Sequence, residues 1–329
     1  MKPDTTSPLL SVEDLTVRFS TGRGAVTAVN GISFTLERGK VLGLIGESGS
    51  GKSVTMRALL RILPAHRTSV SGQVTMAGTD VLALKGRALS SYRGGDVAMI
   101  FQEPALSLDP VFTIGRQIAE TVVRHKGVSY AEGRARALEM LEMVRIPSAA
   151  SRLDAYPHEM SGGMRQRAMI ALALSCSPKL LLADEPTTAL DATVQIQVVL
   201  LLRELQRELG MAAIFVTHDV GVAAEISDDV AVMYGGRIVE TGTAADVLKR
   251  AAHPYAQGLL ASTIHGAMEG ERIETIPGMP PDLANMPQGC AFAPRCSLAG
   301  SDCTNGVPPL ENLRATHRAA CIKAEAGVA

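Results

Sequence analysis

Gly46-Glu47-Ser48-Gly49-Ser50-Gly51-Lys52-Ser53 is an uninterrupted G-x-x-x-x-G-K-S loop between the apolar run Val41-Leu42-Gly43-Leu44-Ile45 and a helix-compatible run from Ser53 to Leu63. The apolar run reads as a buried strand. Glycines let the backbone turn where other residues resist, so successive amides of such a loop point at phosphate oxygens. Lys52 adds positive charge, Ser53 offers a hydroxyl to magnesium, and the amino terminus of the following helix favours anions. A merely flexible glycine-serine loop is the alternative, and the strand before it and the helix after it argue against that.

Working outward, 329 residues are enough for a sizeable core and for about two domains, or one large α/β domain with appendages. A formal net charge of -1 provides no global basic field for nucleic acid. The first ten residues carry Asp4 and two prolines and no apolar signal core, so export is not expected and the chain is assigned to the cytoplasm. No apolar run approaches the roughly 18 residues of a membrane-spanning helix, so any membrane role goes through partner subunits.

Upstream of the loop, Leu9 to Phe19 and Ile32 to Leu36 read as strands. Gly72 to Asp80 reads as a hairpin turning at Gly78, and Val97 to Phe101 as another strand. After Pro104 the pattern turns helical, with Thr113 to Lys126 and Tyr130 to Val144 forming an insertion. Met160 to Ser177 is a further helical run stopped by Pro178, and Lys179 to Ala183 resumes the strand pattern. Val194, Val198, Leu202, Leu205 and Leu209 make one apolar stripe on a helix, which is ordinary core packing. Ala212 to Thr217 is a strand, and Val230 to Tyr234 with Arg237 to Glu240 forms a hairpin across Gly235-Gly236. Beyond His253-Pro254-Tyr255 the chain is rich in Pro, Gly and short polar segments. A boundary near residue 260 and a separate module from 261 to 329 are therefore expected.

Leu180-Leu181-Leu182-Ala183-Asp184-Glu185 delivers two adjacent carboxylates at the end of a buried strand, where open α/β sheets present ligands. Asp184 suits magnesium, held through water, and Glu185 suits accepting a proton from, or orienting, an attacking water. Such a pair is ordinarily a solvated loop; the apolar strand and the phosphate loop favour the chemical reading.

The five cysteines divide unevenly: Cys176 sits alone in a helical run, while the tail carries Cys290-x5-Cys296-x6-Cys303-x17-Cys321. In a cytoplasmic chain, metal ligation competes with disulfides for such a cluster. Four thiolates suit a tetrahedral zinc site or an iron-sulfur cluster, and His317 is an alternative ligand. The paired Cys-x-x-Cys knuckles of zinc ribbons are missing. Four unligated thiols are the plain alternative.

With Ser161-Gly162-Gly163-Met164-Arg165 added, the order of motifs resembles the ATP-binding-cassette (ABC) transporter ATPases, over nearly the whole chain. The resemblance implies an α/β fold: a P-loop NTPase core with an antiparallel β subdomain, a helical insertion at about 105–177 and a cysteine-containing C-terminal regulatory tail. It implies ATP and Mg2+, with residues 1–260 as the nucleotide-binding domain. Ser161, Gly162 and Gly163 would close over the γ-phosphate bound by the opposite subunit. Met164 and Arg165 stand where the most familiar form of the family has Gly-Gln.

By the same resemblance Gln102 touches magnesium or the attacking water, and His218 hydrogen-bonds the γ-phosphate. Ala189-Leu190-Asp191 crosses the dimer interface, where Asp191 couples the two sites. Phe19 is the candidate for stacking on adenine, with a core aromatic as its alternative reading. One phosphate loop and one signature per chain imply a two-subunit sandwich.

His253 to Leu260, the cysteine tail and Phe101-Gln102-Glu103-Pro104-Ala105-Leu106-Ser107-Leu108-Asp109-Pro110 are similar to the peptide and nickel importer branch. That branch implies a heterodimer with a second related ATPase, two transmembrane permease subunits and an extracytoplasmic solute-binding protein. The ATPase then lies peripherally on the cytoplasmic face of the inner membrane, and no nucleic acid is involved. The tail spacing resembles the [4Fe-4S]-binding tails of some members, with Zn2+ as the alternative. The expected function is ATP-driven uptake of di- or oligopeptides. Alternatives are nickel or another small solute, a soluble ABC ATPase of DNA repair or translation, and an iron-sulfur sensor with a vestigial ATPase. The absence of sustained heptads and of a second cassette weighs against the soluble class.

Overall fold

The computed structural model describes residues 7–22, 24–102, 107–187, 191–262 and 275–324. In chain order the principal elements begin with β1 (Leu10–Thr21), β2 (Gly24–Leu36), β3 (Val41–Ile45), α1 (Lys52–Leu59), β4 (Thr68–Met76), β5 (Thr79–Asp80) and β6 (Val97–Ile100). Helices α2 (Ile114–Lys126), α3 (Tyr130–Met143) and α4 (Gly162–Leu174) precede β7 (Leu180–Asp184), α5 (Ala192–Glu208) and β8 (Ala212–Thr217). The chain continues with α6 (Val220–Ile226), β9 (Asp229–Tyr234), β10 (Arg237–Thr243), α7 (Ala244–Lys249), α8 (Pro254–Ala261), β11 (Glu311–Arg314) and β12 (His317–Ala319). Two compact units result, one of residues 1–82 with 215–329 and the other of residues 83–214.

In the first unit, β2, β1, β4 and β5 form an antiparallel sheet in that order. Its register, Leu10 opposite Leu36 on one side and Met76 on the other, buries Leu10, Val12, Leu15 and Val17. The other strands surround β3, all five of whose residues are buried, as expected of a strand covered on both faces. Parallel pairing aligns Leu42 to Ile45 with Asp229 to Val232, and β10 returns antiparallel to β9. Ile45, Val230, Val232, Tyr234, Tyr255 and Phe292 share one core cluster.

Described residues beyond 260 join the strands and core of the first unit. Glu240 and Thr241 of β10 pair with Ala319 and Arg318 of β12, and Phe292 enters the core beside Tyr234 and Tyr255. Helix α1 ends sooner than Leu63. Arg61 takes a left-handed φ of 59° and donates through Nη1 to Val81 O at 2.8 Å, and Pro64 disfavours a helical residue before it.

In the second unit, β6 and β7 pair in parallel, Val97 with Leu180 through Ile100 with Ala183. Helices α2 and α3 are the expected insertion. Ser129 caps α3 through a reciprocal box with Glu132, and Gly127, with φ 68°, closes α2 at the turn between them. Arg167 of α4 donates to Val144 O at 3.0 Å, tying α4 to the end of α3. Cys176 is 1% exposed with its thiol against Thr121 O, an ordinary core position.

Candidate active site

The phosphate loop leaves the carboxy end of β3 and enters α1 through backbone that only glycine tolerates. Gly46 has φ 147° and a Cβ there would lie 2.2 Å from Met233 O; at Gly51, with φ 106°, it would lie 2.6 Å from Ala28 O. The loop is therefore pressed against β9 and β2. Ser50 O accepts from Gly236 N at 3.0 Å, and Ser50 N donates to Glu47 O at 3.2 Å.

Lys52 is buried, with Nζ donating to Gly46 O at 2.6 Å, Glu47 O at 2.9 Å and Ser50 Oγ at 3.3 Å. Its charge fills the cradle that the loop encloses. Ser48 and Gly49 are exposed at the rim and Ser53 is half-buried. Phe19 on β1 is half-buried, opposite Val26 and Thr68. His218 is exposed at the end of β8, where Thr217 Oγ1 accepts from Asp219 N at 3.0 Å and Asp219 caps α6.

The second unit gathers a different set. Asp184 ends β7 buried at 4% exposure, and Glu185 follows with a left-handed φ of 46°. A non-glycine residue in that region stores strain, which recurs where function fixes a side-chain direction. Gln102 Nε2 donates to Glu185 Oε2 at 3.3 Å across 83 residues of chain, joining two expected site residues.

Ser161 caps α4, its Oγ accepting from Met164 N at 3.3 Å, and Asp191 caps α5 by accepting from Val194 N at 3.0 Å. Both therefore have a local structural task. Ser161 and Gly162 are exposed, and a Cβ on Gly162 would meet nothing within 4 Å. Behind them, buried Gln166 donates from Nε2 to Pro186 O, fixing the helix to the turn after Glu185. Residues 103–106 and 188–190, including Ala189 and Leu190, lie outside the described residues.

The tail cysteines all line one small cavity, together with His253, Phe292 and Pro308. Cys290 N donates to Cys303 O at 2.9 Å, and burial pushes the Cys290 and Cys321 thiols up from the ordinary thiol range. Among the described residues, no three His, Cys, Asp or Glu side chains are close enough to hold a metal ion. The four-thiol set is thus brought to one place but not to ligating distance.

His317 is no ligand there. The pairing of β12 with β10 sets its Nε2 2.7 Å from Glu240 Oε1, in a pair with 3% and 0% of the side chains exposed. Burial raises the Glu240 carboxyl above the ordinary range, against the hydrogen bonds that Ala252 N, His253 N and His317 donate to it. Burial also lowers His253 to about 4, so its ring stays neutral.

The sequence reading gave Arg295 no role and took Tyr255 only as part of the branch-like stretch His253 to Leu260. Glu47 N donates to Tyr255 Oη at 2.7 Å, and Arg295 grips the Glu47 carboxylate with two nitrogens, at 2.7 and 3.0 Å. A carboxylate at the second position of a phosphate-binding loop was the available signal that a cation stands behind it.

The ABC transporter family profile matches residues 29–188, and the profile of the oligopeptide/dipeptide transporter C-terminal region matches residues 239–303. The oligopeptide transport ATP-binding protein OppD of Salmonella typhimurium is 49% identical over 321 residues, covering 98% of this chain and 95% of that protein. The chain belongs to the ABC transporter ATPase family.

OppD of Escherichia coli is likewise 49% identical, over 96% of this chain and 93% of its own length. Among solved structures, the ATP-binding cassette MJ0796, in a dimeric post-hydrolysis state bound to ADP and Pi, matches with a TM-score of 0.64. Its identity is 26%, covering 71% of this chain and 98% of that one. CbiO1 from Clostridium perfringens, part of the ABC transporter complex cbiONQ, matches with a TM-score of 0.63 and 28% identity, over 74% of this chain and 91% of that one. This ABC ATPase thus has ATP as its nucleotide, Mg2+ as the expected metal and ATP hydrolysis as its reaction.

Proposed function

We propose that the chain is the ATP-hydrolysing subunit of a peptide importer, driving uptake of di- or oligopeptides through membrane-embedded partners. The observation that carries this reading is a complete phosphate loop in a chain whose carboxy-terminal region matches that of oligopeptide/dipeptide transporters. Among the described residues no helix is long and apolar enough to cross a membrane, so the path for solute belongs to other subunits. Those partners are two permease subunits, an extracytoplasmic solute-binding protein and a second related ATPase, with this chain peripheral on the cytoplasmic face of the inner membrane. Residues 1–260 serve as the nucleotide-binding domain, with a helical part at about 105–177, and 261–329 as a regulatory tail.

In this reading Gly46, Glu47, Ser48, Gly49, Ser50 and Gly51 shape the phosphate cradle, and Lys52 swings from its loop carbonyls to the β- and γ-phosphates. Phe19 stacks on adenine. Ser53, Gln102 and Asp184 would hold Mg2+, which neutralises phosphate charge when bound. Glu185 accepts the proton of the attacking water, Gln102 orients it and His218 contacts the γ-phosphate. The exposed signature Ser161, Gly162 and Gly163 completes the neighbour's site with helix-terminal amides, and Asp191 couples the two sites. A γ-phosphate gripped by two subunits supplies the differential binding that closes the pair, and hydrolysis releases it.

Cys290, Cys296, Cys303 and Cys321 are a soft four-sulfur donor set lining one cavity; their donor chemistry suits a [4Fe-4S] cluster, with Zn2+ as the alternative, and the thiols would have to draw together to hold either. Its role is structural or regulatory.

The test is uptake of labelled di- and oligopeptides by proteoliposomes carrying the full complex, with iron, zinc and sulfide measured on the anaerobically purified protein. ATP-dependent peptide uptake is expected, and it falls roughly 100-fold or more in Glu185→Gln, in which ATP still binds. Uptake of another solute without peptide uptake overturns the peptide assignment.

A further inference from the structure

Glu47 places a carboxylate inside the loop that must receive a highly charged triphosphate. Left uncompensated, it repels the ligand. Both of its hydrogen-bonding ends are taken by residues from the carboxy-terminal part of the chain. Its backbone N–H donates to Tyr255 Oη, and so is withdrawn from the phosphate cradle. Its carboxylate meets Arg295 in a two-pronged pair whose side chains are 6% and 27% exposed.

Arg295 is itself fully engaged. Nε donates to Pro277 O at 2.8 Å, Nη1 also to Tyr234 Oη at 3.3 Å, and Nη2 also to Ile276 O at 3.4 Å. Its guanidinium carbon lies 5.9 Å from the ring centre of Tyr234 and 6.0 Å from that of Phe292. Those rings are fixed by Tyr255: Tyr234 and Tyr255 stand 4.5 Å apart, Tyr234 and Phe292 5.3 Å apart edge to face. The guanidinium emerges from the short turn that joins Cys290 to Cys296, where Ala293 N donates to Cys290 O at 3.1 Å and Cys296 N to Ala293 O at 3.2 Å. A side chain so braced presents its fork to Glu47 at little further entropic cost.

We infer that Arg295 is a positioning residue for ATP binding, by which the tail holds Glu47 neutralised and turned away from the phosphate cradle. The inference rests on the reading of Gly46 to Ser53 as the nucleotide loop. Two consequences separate it from a merely structural contact. Removing Arg295 alone leaves a bare carboxylate beside the phosphates and weakens ATP binding; removing both charges together lifts the repulsion. A buried pair that served only stability gives no such recovery of affinity.

The experiment measures the dissociation constant of a fluorescent ATP analogue with Mg2+ on the full-length chain, beside thermal melting of each variant. Arg295→Gln is expected to weaken binding about tenfold, as one uncompensated charge in the loop at an effective dielectric of about 20 does. Arg295→Lys, which restores the charge but not the fork, falls between the two. The double variant Glu47→Gln/Arg295→Gln returns to within about threefold of the parent even though it lacks the ion pair. Equal affinity of Arg295→Gln and the parent overturns the inference, and so does a double variant as weak as the single one. If Arg295→Gln does not fold, the Lys and double variants carry the same comparison. Failure of the parent itself to bind the analogue counts against the nucleotide loop and not against Arg295 alone.

Discussion

The phosphate loop and the Ser161-Gly162-Gly163 turn use the same device, backbone amides at the start of a helix, in opposite settings. Around the loop the ends are packed and only the rim at Ser48 and Gly49 is open: β9 and β2 lie against Gly46 and Gly51, Lys52 is folded onto the loop carbonyls, and Arg295 and Tyr255 hold Glu47. Around the turn there is open space, with Ser161 and Gly162 exposed. A helix terminus can thus be buried as a receptor or presented as a lid. The loop is shaped by its own chain before nucleotide arrives. The turn, capped by Ser161 and open to solvent, is the surface that the proposed function assigns to a neighbouring subunit's nucleotide.

That contrast is broken most strongly at Lys52. Lys52→Ala removes the charge that the loop is built around, and a pair of opposite charges about 4 Å apart at an effective dielectric near 20 is worth about 4 kcal/mol. ATP affinity of the isolated chain should drop roughly 100- to 1,000-fold, as read by equilibrium binding with melting temperature as the folding control. A smaller drop means that the amides alone form the cradle. Ser161→Arg acts on the other side of the comparison. Binding of ATP to the isolated chain stays within about twofold, while hydrolysis by the assembled complex falls about 100-fold, the usual loss for a donor aimed at developing charge. If ATP binding to the isolated chain falls with it, the turn serves its own loop and the contrast is void.

What the sequence made legible follows the range of each interaction. The strand, loop and helix around Gly46 to Ser53 are local, and Val41–Ile45 and Leu180–Asp184 announce burial by composition alone. The meeting of Gln102 with Glu185 spans 83 residues: the strand-end pair pointed to Glu185 and family resemblance to Gln102, but their contact was in neither reading. The tail was opaque. Its strands β11 and β12 are four and three residues long, with little apolar alternation; β12 is a strand because β10 offers it an edge, and β11 because β12 then offers the next. Since that pairing was hidden, so were the burial of His317 against Glu240 and the reach of Arg295 to Glu47.

The smallest expected effect tests whether the tail truly belongs with the phosphate-loop side of the comparison. Asp246 is 6% exposed in the first turn of α7 and gathers donors from two parts of the chain. Thr243 Oγ1 and Thr316 Oγ1 each donate to its Oδ2 at 2.8 Å, and Arg250 pairs with its Oδ1. Thr316 immediately precedes β12, so this carboxylate fastens the added strand to the hairpin that flanks the loop. Hydrogen bonds from Thr243 and Thr316, followed by the nearby Arg250 charge, hold the Asp246 carboxyl below the ordinary 3.8. A depressed acid contributes stability that is present above its unfolded value and lost as pH falls through the folded one. Its contribution therefore persists at neutral pH and disappears only below about 3.8. Asp246→Ala should lower unfolding stability by about 1–2 kcal/mol at pH 7, the cost of leaving covered donors without an acceptor. The gap to the parent should close as the medium is acidified below that value. ATP affinity should change by no more than about threefold, because Arg295 reaches Glu47 from a different turn. A loss of affinity as large as that of Arg295→Gln would show that the tail supports the loop as one stiff body and not through a single side chain.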